Sequence, residues 1–216
     1  MSYQFDLLIF DLDGTLIDSQ KDIAISVNYT LSYYNAPHLE NEFLYTAIAT
    51  GVYKLLVESL SSFSIPSEEI INTFRGHYLS HLLDNTTCFP YVYQVLDKFR
   101  DKKKAIITNK PDEYTLPVIN GLDLIDHFDI IKSGNSNCRP KPHPESIEQV
   151  IKAIGSLSVN TLIIGDNNVD IEVGIKAGIK TCWAAYGYGK LDSLTPDFQI
   201  NSFLELLGLV GYSPNG

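Results

Sequence analysis

The sequence is short of positive charge. Lys and Arg together number 16 against 26 Asp and Glu, a formal net charge of −10. Duplex nucleic acid is held largely by neutralising phosphates with basic side chains, so a general nucleic-acid binder is not expected. Long apolar runs are missing as well: nothing approaches the ~18–20 residues of a membrane span, and no membrane partner is expected. The first apolar run stops at Asp11 and has no basic segment before it, which argues against a secretory signal. Cysteine is scarce: Cys88, Cys138 and Cys182 form no CxxC pair, so neither a disulfide frame nor a zinc site is expected, and a reducing, cytoplasmic setting is. Internal repeats are absent. What is present is 44% apolar residue content in 216 residues, enough for one large domain, or one domain carrying an insertion. The acidity does not exclude a small anionic substrate held at a local positive focus, which a metal ion could supply.

Short continuous apolar runs read as buried strands of a parallel sheet. Leu7 to Phe10 precedes Asp11, Ala105 to Ile107 precedes Thr108, and Leu162 to Ile164 precedes Gly165 and Asp166. Weaker runs lie at Phe128 to Ile131, Thr181 to Ala185 and Phe198 to Ile200. Between them, Ile147, Val150, Ile151 and Ile154 mark one helical stripe between Pro144 and Gly155, and another helix is expected from Asn168 to Gly178. This alternation predicts an α/β fold, a doubly wound, Rossmann-like parallel sheet. Over residues 18–85 the rhythm changes: Ile23, Val27, Leu31 and Tyr34 repeat at helical spacing, as do Ile70, Phe74, Tyr78 and Leu82. These residues are too many for one crossover, so they are assigned to an inserted α-helical cap, with residues 1–17 and 86–216 forming the α/β core.

In open α/β sheets ligands bind at the carboxyl ends of strands, where this sequence places Asp11 and Asp13, then Thr108 and Asn109, then Asp166. Converging carboxylates repel one another, and a divalent cation resolves the conflict; few carboxylates plus water suit Mg2+. Asp11 and Asp13 share a face if the strand pattern continues, and Gly14 permits a sharp exit, although two aspartates in a surface turn give the same letters. Asp170, one turn after Asp166, also suits helix capping. Lys141 sits among prolines in Arg139-Pro140-Lys141-Pro142-His143-Pro144, an expected extended, stiff mounting. Thr108 and Asn109 offer a hydroxyl and a backbone N–H to phosphate oxygens, or simply cap a strand.

Four segments in order, DLDGTLIDS from Asp11, ITN from Ile107, Lys141 within RPKPHPE, and GDNNVD from Gly165, resemble the motifs of the haloacid dehalogenase-like hydrolases. Further segments, TGVYKLLVESL from Thr50, ITNKPDEY from Ile107, DIEVGIKAGIKT from Asp170 and PDFQINSFLELL from Pro196, are similar to the phosphoglycolate phosphatase group with a small helical cap. The resemblance implies a Mg2+-dependent phosphatase for small phosphorylated metabolites. Asp11 would be the nucleophile forming an aspartyl-phosphate, and Asp13 the general acid and base. It further implies Mg2+ held by Asp11, the backbone carbonyl of Asp13 and Asp166, with Asp170 orienting its waters. Thr108, Asn109 and Lys141 would bind the phosphoryl group. Asp13 disfavours a dehalogenase, whose halide needs no proton. A sugar phosphomutase, or a non-catalytic regulator binding a phosphorylated ligand, remain alternatives of the same fold. Lys54 is a candidate cap contact for a second anionic group, against the plainer reading of an exposed helix lysine. Arg75, His77 and His81 have weaker claims of the same kind. Lys102 to Lys104 reads as a solvated helix end. Two departures from the pattern stand out: Tyr91 follows Phe89-Pro90 where relatives usually place Gly, and Asn167 stands where Ser is common.

Overall fold

The computed structural model describes residues 4–48 and 51–211. Residues 1–3 and Thr50, which opens one of the quoted segments, lie outside the described residues. The chain divides into two compact units, Met1–Asp18 with Cys88–Gly216, and Ser19–Thr87. Two very short strands, β2 (Ile17–Asp18) and β3 (Thr87–Cys88), mark the two ends of the insertion.

The larger unit is built on a parallel sheet of β1 (Leu7–Phe10), β4 (Lys103–Ile107), β5 (Ile130–Lys132), β6 (Thr161–Gly165), β7 (Lys180–Ala184) and β8 (Phe198–Ile200), in the order β5-β4-β1-β6-β7-β8. Both faces are covered, which is why the strands read as unbroken apolar runs rather than alternating ones. Leu7, Ile9, Ala105, Ile107 and Ile163 pack with Ile147 and Val150 of α7 (Glu145–Ile154) and Val173 of α8 (Asn168–Ala177). Leu8, Phe10, Ile106 and Ile164 point the other way and are also fully buried, Phe10 against Phe203. The remaining helices of this unit are α5 (Val92–Lys98), α6 (Asp112–Gly121) and α9 (Leu206–Val210). Both expected glycine stops are present: Gly155 ends α7 and Gly178 ends α8, each in the left-handed region. Strand order reverses around β1, so the crevice predicted for a doubly wound sheet lies where β1, β4 and β6 end. Phe10 is level with Ile106 on one side and Ile164 on the other, so Asp11, Thr108 and Asp166 leave the sheet at one edge.

Two local expectations are revised, and one departure from the pattern gains a physical reason. Lys104 is no solvated helix end: it lies buried in β4, and its ammonium donates to the carbonyls of Phe99 and Lys102. Burial lowers its pKa, against the nearby Asp129 and Asp101, and the Phe99 and Lys102 carbonyl oxygens hold the charge. The segment around Lys141 is not extended, because the His143 N–H donates to the Pro140 carbonyl at 2.9 Å and closes a turn. Tyr91, just before α5, has φ +72°, the region where glycine costs least, which is the physical meaning of its departure from the pattern.

The smaller unit comprises α1 (Gln20–Tyr33), α2 (Asn41–Ile48), α3 (Val52–Ser59) and α4 (Ser67–Ser80). The two stripes legible in the sequence meet as α1 packs on α4, burying Ile23, Val27 and Leu31 together with Ile70, Phe74 and Tyr78. Its chain ends are joined by Asp22. This buried carboxylate accepts hydrogen bonds from the backbone N–H and amide of Asn85 and from the N–H and hydroxyl of Thr86, at 2.7–2.9 Å. Burial alone would raise the Asp22 carboxyl, but these four donors outweigh it and hold it below its ordinary value of 3.8. A depressed carboxyl contributes stability that is present above its unfolded value and lost as pH falls through its folded value. Asp22→Ala, which strands four donors, the two of Thr86 buried and the two of Asn85 half-buried, is expected to cost about 3 kcal/mol. Thermal unfolding followed from pH 7 down to acid checks both points: the wild type should lose stability below about pH 4, and Asp22→Asn should lose that part of the slope. Among the described residues no helix is long and apolar enough to cross a membrane.

Candidate active site

Asp11 follows β1 directly, and its backbone N–H still donates to Ile164, so the chain holds sheet geometry up to the carboxylate. The side chain is buried and lies 2.7 Å from the Lys141 ammonium. Lys141 also reaches Asp170 at 2.6 Å and is almost wholly enclosed. Its mounting is set by Asn109, whose amide oxygen accepts from the Lys141 N–H at 2.9 Å and whose amide nitrogen donates to the Lys141 carbonyl at 3.0 Å. The Asn109 side chain is therefore used in fixing the lysine, and only its backbone N–H is left for a ligand. Thr108 is buried at the end of β4, its hydroxyl accepting from the Lys110 N–H at 3.2 Å. A small opening lies beside Thr108, Asn109 and Lys141.

Asp166 follows β6 and is gripped by a loop that the sequence pattern did not mark. The backbone N–H groups of Tyr188 and Gly189 donate to its Oδ2 at 2.8 and 2.9 Å. The indole of Trp183 donates to its carbonyl at 2.8 Å. The Tyr-Gly-Tyr-Gly run at 186–189 is the signal that could have found this loop. A Cβ on Gly187 would lie 2.3 Å from both the Asp166 Cβ and the Gly14 carbonyl, and one on Gly14 (φ +83°) would lie 2.2 Å from Asp166 Oδ2. Glycine in Asp13-Gly14-Thr15 thus serves close approach as well as the turn.

Carboxylate oxygens of Asp11, Asp166 and Asp170 all lie within 4.8 Å of one another, and all three residues are buried. Burial raises the Asp11 carboxyl, Lys141 opposes this, and Asp170 adds to it, leaving the pKa well above the usual carboxylate range. Asp166 is pushed up to about 8 by burial, then by Asp170 and Asp11, against the two N–H donors. Burial works against the Lys141 charge, yet Asp11 and Asp170 together hold its pKa above the ordinary lysine value. One lysine facing three buried carboxylates leaves an excess of negative charge that a divalent cation would balance, so the donor set fits Mg2+. Asp170 meets the capping reading, its Oδ2 accepting from the Asn167 N–H at 3.0 Å in a capping box, while its Oδ1 holds Lys141, a contact the motif did not disclose. Asn167 thus caps α8.

The Asp13 side chain is not a member of the carboxylate group. It accepts from the ammonium of Lys110 at 2.9 Å, and Lys110 is nearly buried. Lys110 is the residue that reading for motifs passed over; its position directly after Asn109, at a strand end, was the available signal. Lys54 belongs to the insertion, where its side chain is 75% exposed and its ammonium lies 3.8 Å from Glu58 one helical turn on.

A family model for haloacid dehalogenase-like hydrolases matches residues 8–184. The chain belongs to that family. The match begins in β1 and closes in β7, spanning all four motif segments of the site. Among relatives, a phosphoglycolate phosphatase of Aquifex aeolicus (strain VF5) is 34% identical over 206 residues, covering 94% of this chain and 96% of the relative. One from Haemophilus influenzae (strain ATCC 51907 / DSM 11121 / KW20 / Rd) is 29% identical over 224 residues, covering 97% and 100%. Among solved structures, one described as a predicted phosphoglycolate phosphatase from Haemophilus somnus 129PT superposes with a TM-score of 0.88 at 26% identity, covering 95% of this chain and 98% of that one. The haloacid dehalogenase-like fold, a Rossmann-like core with an inserted helical cap, is therefore the fold of this chain, and the chain is a hydrolase.

Proposed function

We propose that the protein is a Mg2+-dependent phosphatase for small phosphate monoesters of the phosphoglycolate kind, acting through an aspartyl-phosphate on Asp11. The observation that carries this reading is the buried Asp11 carboxylate at a strand end, 2.7 Å from Lys141 and grouped with Asp166 and Asp170. The names borne by its relatives support the substrate class. A carboxylate oxygen of Asp11 attacks phosphorus, a new P–O bond forms, and the bond to the leaving alkoxide breaks. Asp13 gives the alkoxide its proton. It then takes a proton from the water that attacks the phosphoryl group, and the P–O bond to Asp11 breaks to release inorganic phosphate. Lys141, the Thr108 hydroxyl and the Asn109 N–H face the phosphoryl oxygens, where charge resides during transfer. Asp11, Asp166 and the Asp13 carbonyl would hold Mg2+, with Asp170 orienting its waters; bound there, the cation supplies the positive charge that lets a phosphate dianion approach a carboxylate. The free thiols of Cys88, Cys138 and Cys182 favour a cytoplasmic setting.

The test is phosphate release over a panel of small metabolite phosphates, with Mg2+ and with a chelator. Release that needs Mg2+ and favours short carboxylated alkyl phosphates is expected. No release from any member, or isomerisation of a sugar phosphate without net release, would overturn the assignment.

Lys110 enters this mechanism through Asp13. By fixing the carboxyl, it positions the proton donor toward the leaving oxygen. Proton donation is worth on the order of 10²–10⁴ in rate, and matters only when the leaving group is a poor one. For Lys110→Met, kcat/KM on an alkyl phosphate is expected to fall about 10²-fold, while a dinitrophenyl phosphate, whose phenolate leaves unprotonated, changes only a few-fold. Equal losses on both substrates would contradict the assignment.

A further inference from the structure

The loop that grips Asp166 is itself anchored through two tyrosines. Tyr188 gives its backbone N–H to Asp166 Oδ2 at 2.8 Å, beside the Gly189 N–H at 2.9 Å. Its phenol reaches the chain just before the insertion, 3.1 Å from the Ile17 carbonyl and 2.9 Å from an Asp18 carboxylate oxygen. Both of those groups only accept, so the phenol shares its single proton between them. Asp18 is the last residue of the larger unit before the insertion, and Cys88 the first after it. Next to Cys88, Phe89 donates its N–H to the Leu16 carbonyl at 3.0 Å. Its ring packs on both Tyr186 and Tyr188, with centroids 5.1 and 6.1 Å away. Tyr186 in turn donates to the Thr15 carbonyl at 2.7 Å.

Tyr188 therefore has its main chain on a carboxylate of the acidic group and its side chain on the segment where the insertion departs. Two N–H donors on one oxygen restrict how the Asp166 carboxylate can turn, and so where its electron pairs point. The loop is also in close contact with Asp166: a Cβ on Gly187 or Gly189 would lie 2.3 or 2.4 Å from its atoms. Close packing transmits a displacement instead of absorbing it. Groups that orient a metal ligand in this way are worth about 10–100-fold in metal affinity.

We propose that Tyr188 is a positioning residue for the cation at Asp11 and Asp166. Its phenol, anchored on Ile17 and Asp18, holds the 186–189 loop where the Tyr188 N–H aims the Asp166 carboxylate, so Mg2+ affinity is tied to the segment at which the insertion begins. This role rests on the proposed Mg2+ centre and extends it to a side chain outside the set that would hold metal or phosphate. Tyr186 has a comparable phenol anchor, but the N–H groups on Asp166 come from Tyr188 and Gly189.

The test measures Mg2+ binding to the full protein by titration calorimetry without substrate, beside the Mg2+ dependence of phosphate release. Tyr188→Phe keeps the ring and the backbone N–H and removes only the phenol anchor. It should weaken Mg2+ binding about tenfold and raise the Mg2+ concentration for half-maximal release by the same factor. Its kcat should fall far less once Mg2+ saturates. Tyr186→Phe also loses one phenol hydrogen bond, so the thermal midpoints of the two variants should fall alike, while Tyr186→Phe moves Mg2+ affinity far less. Wild-type Mg2+ affinity in folded Tyr188→Phe overturns the proposal. So does an equal loss of affinity in both variants, or a loss of kcat that saturating Mg2+ does not relieve. Wild-type protein that binds no Mg2+ overturns the metal centre and this role with it, so the wild-type titration alone tells the two failures apart.

Discussion

Asp11→Asn is expected to lower kcat/KM for small alkyl phosphates by at least about 10⁴-fold, because a neutral amide cannot replace a carboxylate nucleophile at phosphorus. The substitution is nearly isosteric, so a folding defect does not confuse the result. Asp11 carries a raised pKa in the folded protein, the sign of a carboxylate whose ionised form is disfavoured by folding. At pH 7 without metal, such a group subtracts from stability, and removing its charge relieves that cost. The thermal midpoint of metal-free Asp11→Asn should therefore equal or exceed that of the wild type. Scanning calorimetry beside steady-state kinetics checks both halves, and residual activity within tenfold of wild type would remove Asp11 from its role.

Lys141→Met is expected to damage fold and chemistry together. The lysine is the cation between Asp11 and Asp170, and Asp166 stands in the same buried group. Removing it leaves buried carboxylates without compensation, a change that costs about 3–5 kcal/mol when one member of a buried pair is deleted. In metal-free buffer the midpoint should fall accordingly. Adding Mg2+ should recover more stability in Lys141→Met than in the wild type, because the cation then answers a larger charge imbalance. Transfer itself should fall about 10³-fold, the scale seen when a pre-organised electrostatic contact to a developing charge is lost. A midpoint unchanged by Lys141→Met would mean that the carboxylates are balanced in some other way.

The contrast between these residues and Lys110 shows what the sequence could and could not disclose. Asp11, Thr108 and Asp166 were legible because each follows a buried apolar strand directly, and a polar group there has few reasons to exist apart from the site. The helices of the insertion were legible for a similar reason, since Ile23, Val27 and Leu31 need partners and found them in Ile70, Phe74 and Tyr78. Pairings distant along the chain left no such trace. Asp13 with Lys110, Asp166 with the 186–189 loop, and Asp22 with Asn85 and Thr86 depend on side-chain directions that no periodicity encodes. The Asn109 side chain belongs to this class: it holds the Lys141 backbone, a task invisible in the letters ITN. The lysines at 102–104 misled for the opposite reason. Charged letters suggest solvent, but a long stem lets Lys104 lie in a strand while its ammonium reaches the carbonyl oxygens of Phe99 and Lys102.

In the proposed reaction Asp11 carries the phosphoryl group between substrate and water. This is tested most directly by mixing enzyme, Mg2+ and an alkyl phosphate labelled in the phosphoryl group, quenching in acid within a turnover, and mapping the label on the peptides. An acid-stable, hydroxylamine-labile phosphoryl group is expected on the peptide containing Asp11, absent when Asp11 is replaced by Asn. Turnover that proceeds with no label on that peptide, or with label on another residue, would contradict it.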